Sequence, residues 1–264
     1  MFNRDYVDKC NINVIDSQGK IYTSKRYLLD SDLNLEIFVV YDIFVDILKK
    51  INIRVEDKNL KFLSTIVSSS NPYGIRSEAI KNPNKFGLPN FSSKKIVNGY
   101  EILGIDASKN RCLMYLPKNY PIPKKSNAFF QYKVFIAKAY GADAIGEKSS
   151  TPVLSAPELG IPGQLCTETF LEIGGFHTQK EAENLIKYIR TKFFRTLVGI
   201  QKQTQNMTQK TYSFVPILDF KSNDEINWEL SVSKIDEQLY KMFELSDEEI
   251  KFIEGKICDI KKIK

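Results

Sequence analysis

A long amphipathic segment from Thr178 to about Thr204 constrains this chain more than any other feature. Thr178, followed three residues later by Glu181, forms a capping box, which satisfies two backbone donors that a helix start leaves open. Ala182, Leu185, Ile186, Ile189, Phe193, Leu197 and Ile200 then recur at three- and four-residue spacing, so one apolar stripe faces a core. The opposite face collects Lys187, Arg190, Arg195 and Lys202. One helix is therefore expected both to close a core and to present positive charge.

The elements around it are short and mixed. Ile12–Ile15 and Lys20–Thr23, joined through the turn formers of Asp16–Gly19, read as a hairpin; Glu36–Val40 reads as a strand and Asp42–Lys50 as a short helix. From Ser68 to Lys125 the chain is dense in Ser, Asn, Pro, Gly and Lys, and only Gly99–Ile105 and Arg111–Leu116 have strand character. Phe129–Ala137 and Thr167–Ile173 are the next strands, with Ala139–Pro162 as loop between them. Tyr212–Ile217 is expected as a further strand, and helices at Lys234–Phe243 and Asp247–Ile260 finish the chain. The fold class is α+β.

A net charge of +6 over 264 residues favours polyanionic partners only mildly, so its distribution matters more than its size. Acidic residues are absent from Ala107 to Ala142, where Lys118, Lys124, Lys125, Lys133 and Lys138 fall. They are absent again from Asn184 to Leu218, which holds Lys187, Arg190, Lys192, Arg195, Lys202 and Lys210. These stretches are either solvated basic faces or phosphate-facing surfaces. Aromatics accompany the first, and Gln201, Gln203, Gln205, Asn206 and Gln209 accompany the second; amides can pair with adenine edges while Lys and Arg hold phosphates and guanine.

Motifs for chemistry are incomplete. Asn71-Pro72-Tyr73-Gly74 approaches the Asn-Pro-Pro-Tyr loop of adenine methyltransferases but lacks the second proline, and Asn-Pro before Gly reads more simply as a turn. Gly174-Gly175 is too short for a nucleotide-binding loop and reads as a tight strand-to-helix turn, with His177 beside it and no nucleophile to pair with. Asp219-Phe220-Lys221 lacks the second carboxylate a metal-dependent nuclease needs, and Asp247–Glu249 fits a helix N-terminus. The scattered cysteines Cys10, Cys112, Cys166 and Cys258 suggest neither zinc nor disulfides. No catalytic residue, metal site or cofactor site is assigned. Without a signal-like N-terminus or an apolar span, a cytoplasmic protein that does not enter the membrane is expected.

Cys166–Phe176, Glu181–Asn184, Thr191–Val198, Tyr212–Pro216 with Asp219-Phe220, and Ser246–Glu254 resemble, in order, blocks of the C-terminal region of bacterial type II adenine-specific restriction-modification DNA methyltransferases. Ile66–Ser69 with Pro72, Gly74 and Arg76, and Phe135–Gly141, look like that family's middle segments. The resemblance covers roughly residues 60 to 260. It implies that residues 1–55 are a short α/β remnant, the closing part of a catalytic domain, and that residues 56–264 are a DNA target-recognition region. The family's S-adenosylmethionine loop and its Asn-Pro-Pro-Tyr loop would precede Met1, so the resemblance implies a non-catalytic reader of double-stranded DNA. Such a reader would be inactive alone and would work with a separately encoded methyltransferase polypeptide that carries S-adenosylmethionine.

The contact residues expected are Lys187, Arg190, Lys192, Arg195, Lys202, Gln203, Lys124, Lys125 and Lys138. Two alternatives stay open: a restriction endonuclease or methyltransferase subunit with unrecognised catalytic residues, and a truncated inactive relic.

Overall fold

The computed structural model of the protein describes residues 9–16, 19–27, 37–140, 152–221 and 225–258. Ser17 and Gln18 of the expected hairpin turn, Glu36 of the strand expected at 36–40, residues 141–151 of the expected loop and residues 259–260 of the last expected helix lie outside the described residues.

The described elements, in chain order, are β1 (Cys10–Ile15), β2 (Ile21–Arg26), α1 (Asp42–Asp57), α2 (Ser77–Lys81), β3 (Tyr100–Ile105), β4 (Arg111–Leu116), β5 (Tyr132–Ala137), β6 (Glu158–Gly160), β7 (Gln164–Cys166), β8 (Phe170–Phe176), α3 (Gln179–Arg190), α4 (Lys192–Gln201), α5 (Val232–Met242) and α6 (Asp247–Lys256). Helices and sheets are mixed, as the α+β class requires.

One sheet, in the order β6-β5-β8, forms the central layer, with β5 antiparallel to both neighbours. Side chains alternate across a strand, and here both faces are covered. Val134, Ile136, Leu171 and Ile173 point into a core shared with Leu185, Phe194, Leu197 and Leu239 of the helices. Phe135 and Phe170 point the other way, into a second core with Ile102, Leu103 and Leu165 of the sheet β4-β3-β7. The molecule is thus layered as helices, sheet, sheet, and burial on both faces explains why β5 and β8 read as nearly continuous apolar runs.

Several expectations need correction. Residues 37–40 are irregular rather than a strand. The helix expected at 42–50 runs on to Asp57, and Phe44, Ile47, Leu48 and Ile51 join the same core as α3, α4, α5 and α6. Residue 55, the end of the expected remnant, lies within α1. Of the strand expected at Tyr212–Ile217, Tyr212 ends a 3-10 turn that begins at Gln209, and Pro216 makes a single bridge with Phe62. A proline amide cannot donate to a ladder, which limits the pairing at that point. Short strands β6 and β7 arise in and just after the segment expected to be loop.

Gly174 and Gly175 lie inside β8, not in a turn after it. The ladder runs Tyr132 opposite Phe176 but Lys133 opposite Gly174, so Gly175 is an extra residue in a bulge. Their φ values, 115° and 141°, are accessible to glycine and rarely to other residues.

The long helix is two. Thr191 is extended, at φ −66° and ψ 150°, and ends α3 while capping α4. Its hydroxyl donates to the Tyr188 carbonyl at 2.6 Å and accepts from Phe194 N–H at 3.1 Å. From α5, the buried Asp236 carboxylate accepts from Lys192 N–H and Phe193 N–H, both at 2.9 Å. Two caps on one joint satisfy donors that a break in a buried helix would strand. The apolar stripe was continuous in sequence because both helices bury it in the same core.

Burial pushes the Asp236 carboxyl up to about 6, against the N–H groups of Phe193 and Lys192, which favour its ionised form. A folded-state value above the unfolded one means that this stabilisation is complete below about pH 4 and is lost as pH rises through 6. Urea unfolding should show the wild type losing up to roughly 3 kcal/mol relative to Asp236→Asn between pH 4 and 7. A difference that does not change with pH would contradict this.

Candidate nucleic-acid interface

The cations of α3 and α4 are mostly engaged within the fold. Lys187 Nζ donates to the Trp228 carbonyl. Lys192 Nζ pairs with the Glu254 carboxylate at 2.5 Å and reaches its carbonyl at 3.3 Å. Lys202 Nζ donates to the Tyr140 carbonyl and, at 3.0 Å, to that of Val153. Arg195 departs furthest from expectation: only 1% exposed, it donates Nε to the Thr191 carbonyl at 3.0 Å and its guanidinium to the Cys258 carbonyl. A buried guanidinium cannot meet a phosphate, so Arg195 is a fastening of the helical layer. The supposed charged face fails because α4 is buried nearly all round, packed between α3, α5 and α6. Of the contact cations expected on these helices, Arg190 alone is exposed, in the last turn of α3.

The remaining expected residues lie elsewhere. Lys124, Lys125 and Gln203 are exposed and Lys138 is half-buried. The fold brings the two acid-free stretches together at this place. Tyr140 N–H donates to the Gln205 carbonyl at 3.2 Å, Met207 N–H donates to the Lys138 carbonyl at 2.8 Å, and Ala139 bridges Asn206. The loop following α4 then runs to Gln209, whose side-chain amide donates to the Val67 carbonyl at 2.7 Å.

Gln209 borders a polar cleft of about 420 Å³ that Ser68, Ser69, Lys124, Lys125 and Asn127 also line. Lys124 Nζ lies 3.2 Å from Ser69 Oγ, and Lys125 Nζ sits over the Phe129 ring. Residues far apart in sequence thus set amines, amides and hydroxyls around one opening.

The cleft rests on two buried charges. Glu172, 2% exposed on β8, accepts from the hydroxyls of Tyr73 and Ser126. Lys133, fully buried on β5, donates to the carbonyls of Ala128 and Phe129 at 2.8 and 2.9 Å. Lys133 stands opposite Gly174, two residues along β8 from Glu172, so the two side chains lie diagonally on one face. Both reach the segment 126–129 and fix it from below. Lys133, counted among the surface cations of the first basic stretch, is a core residue. Its signal in the sequence was a charge within an apolar strand, and Glu172 in Phe-Leu-Glu-Ile carries the same one.

Asn71-Pro72-Tyr73-Gly74 is a turn: Gly74 N–H donates to the Asn71 carbonyl at 3.3 Å, and Asn71 and Gly74 take left-handed φ values of 59° and 73°. Tyr73 is fully buried, so its ring is not available to stack on a base. Burial, and then the Glu172 charge, push its hydroxyl well above the usual tyrosine range. His177 is exposed just before the α3 cap, and Asp219 turns its carboxylate onto Lys221 N–H at 2.9 Å. Among the described residues no group of His, Cys, Asp and Glu could hold a metal, and no helix is long and apolar enough to cross a membrane. Among known proteins, no family model, no curated protein and no solved structure matches this chain.

Burial lowers the Lys133 amine to about 8, partly offset by the Glu172 charge. Below that value both folded and unfolded chains hold the proton; between about 8 and 10.5 the unfolded chain retains a proton that the folded one has released, so stability rises with pH. Wild type should therefore gain stability over Lys133→Met from pH 7.5 to 10 in denaturant unfolding. A flat difference would mean that the amine is as solvated in the folded state as in the unfolded one.

Proposed function

We propose that this protein binds double-stranded DNA and serves as the target-reading portion of an adenine-specific restriction-modification methyltransferase, with methyl transfer supplied by a separate catalytic polypeptide that binds S-adenosylmethionine. The observation that carries the DNA-binding part is the meeting of the two acid-free stretches: Lys138 beside the exposed loop 203–206, and Lys124 and Lys125 at the cleft that Gln209 borders. Lysines along such a surface would take phosphates, and the amides of Gln203, Gln205 and Asn206 are of the kind that pair with base edges. Among the expected helix cations, Arg190 is the exposed one. The methyltransferase part, with the catalytic partner that goes with it, rests on the order of the sequence blocks and their resemblance to that family.

This assignment moves the expected contacts from the helix face to the loops. Fluorescence anisotropy with a duplex at several salt concentrations tests it. The triple variant Lys124→Glu, Lys125→Glu and Lys138→Glu should weaken binding at least tenfold and flatten the salt dependence by about one phosphate per lysine lost. Lys192→Gln, which breaks an internal ion pair, should leave the salt slope unchanged. Equal salt slopes for wild type and triple variant would defeat the DNA reading, and metal-dependent cleavage by the chain alone would make it a nuclease instead.

A further inference from the structure

The cleft has chemistry that a phosphate-holding surface does not need. Its lining includes Glu172, one of the most buried charged residues in the molecule, below a rim that carries Lys124 and Lys125. A bare anion site would exclude a carboxylate, because like charges repel strongly where water is scarce. Glu172 accepts one hydrogen bond at each oxygen, from Tyr73 and from Ser126, which leaves acceptor capacity at both. The Tyr73 hydroxyl, Ser126 and the Ser68 hydroxyl, which accepts from Glu172 N–H at 3.0 Å, hold the carboxylate in place. Ile66 and Pro72 add apolar wall, and the 420 Å³ volume lies in the range of small-molecule sites, about 300–1,000 Å³.

A cleft with cations at the rim and a fixed acceptor below them fits a ligand with an anion at one end and an N–H donor at the other. We propose that this cleft takes up a single nucleotide unit whose base carries an exocyclic amino group, the phosphate resting on Lys124 and Lys125 and the amino group donating to the Glu172 carboxylate. The choice of a nucleotide within that ligand class rests on the DNA-binding reading. Carboxylates accept from the amino group of cytosine, and adenine offers an equivalent donor, whereas the corresponding group of thymine is an acceptor and would face the carboxylate unfavourably. The unit could come from the free nucleotide pool or from an unstacked position in DNA.

Titration of the full chain with dCMP, dAMP, dTMP and inorganic phosphate, followed by ligand-observed NMR, tests the selectivity without any variant. dCMP and dAMP should each bind at least about tenfold more tightly than dTMP or phosphate. Glu172→Gln should abolish that preference, and Lys124→Gln with Lys125→Gln should weaken all the nucleotides together. Duplexes carrying one unpaired cytidine or one unpaired thymidine identify the source: preference for the cytidine duplex places the nucleotide in DNA, and preference among mononucleotides alone places it in the free pool. Amino selectivity without duplex binding would uphold the cleft and refute the DNA reading. Duplex binding with no discrimination among the mononucleotides or between the two unpaired duplexes would overturn the cleft proposal and leave the DNA reading standing.

Discussion

Two opposite charges on one buried face of the central sheet determine where the polar surface of this protein can be. Lys133 and Glu172 face the second core, where Phe135 and Phe170 from the same strands are packed. Burying either charge costs several kcal/mol unless hydrogen bonds replace the lost water. Most of the replacement comes from one short segment, with the Ala128 and Phe129 carbonyls on the amine and the Ser126 hydroxyl beside that of Tyr73 on the carboxylate. Because satisfying the charges requires that segment in place, Lys124, Lys125 and Asn127 beside it are positioned by the core. The glycine bulge in β8 belongs to the same arrangement, since it sets Gly174, which has no side chain, opposite Lys133.

In the helical layer, cations act as fastenings. Arg195 ties α4 to the Cys258 carbonyl beyond α6, Lys192 ties α4 to Glu254, and Lys50 ties α1 to Glu249 at 2.6 Å. Glu249 also completes the capping box of α6 with Ser246. Such bonds join helices whose apolar stripes alone would permit sliding, since dispersion contacts are individually weak and not directional. Thr191 and Asp236 add a fixed point between the α3–α4 joint and α5. Positive charge clustered in sequence can therefore serve cohesion as readily as recognition, and the difference lies in what carbonyls and carboxylates the fold places within reach.

This difference decides what could be read in advance. The α3 capping box, the apolar stripe, the strand Arg111–Leu116 and the last helices followed from local periodicity and from caps that act within four residues. The break at Thr191 did not, because half of its cap comes from Asp236, distant in sequence. Nor did the burial of Arg195, whose neighbours in sequence place it on a face that α4 lacks. Lys124, Lys125 and Gln203 were legible as exposed polar residues, since turn-forming neighbours keep such segments at the surface. The joining of Lys124 and Lys125 to a cleft was not legible, because it depends on Gln209 meeting Val67 across the fold.

The loop after α4 shows how anchoring can serve binding. At one end Lys202 is fixed to the carbonyls of Tyr140 and Val153; at the other, buried Met207 pairs through its backbone with Lys138. Between them Gln203, Gln205 and Asn206 are exposed, with the Gln205 carbonyl and Asn206 held against Tyr140 and Ala139. Ordering a free loop on association costs conformational entropy for each residue immobilised, and a loop already held at both ends escapes most of that cost. The same anchors limit how far the amides can move to fit a partner. A surface built in this way suits a ligand of regular geometry, such as a duplex, better than one that requires the loop to refold around it.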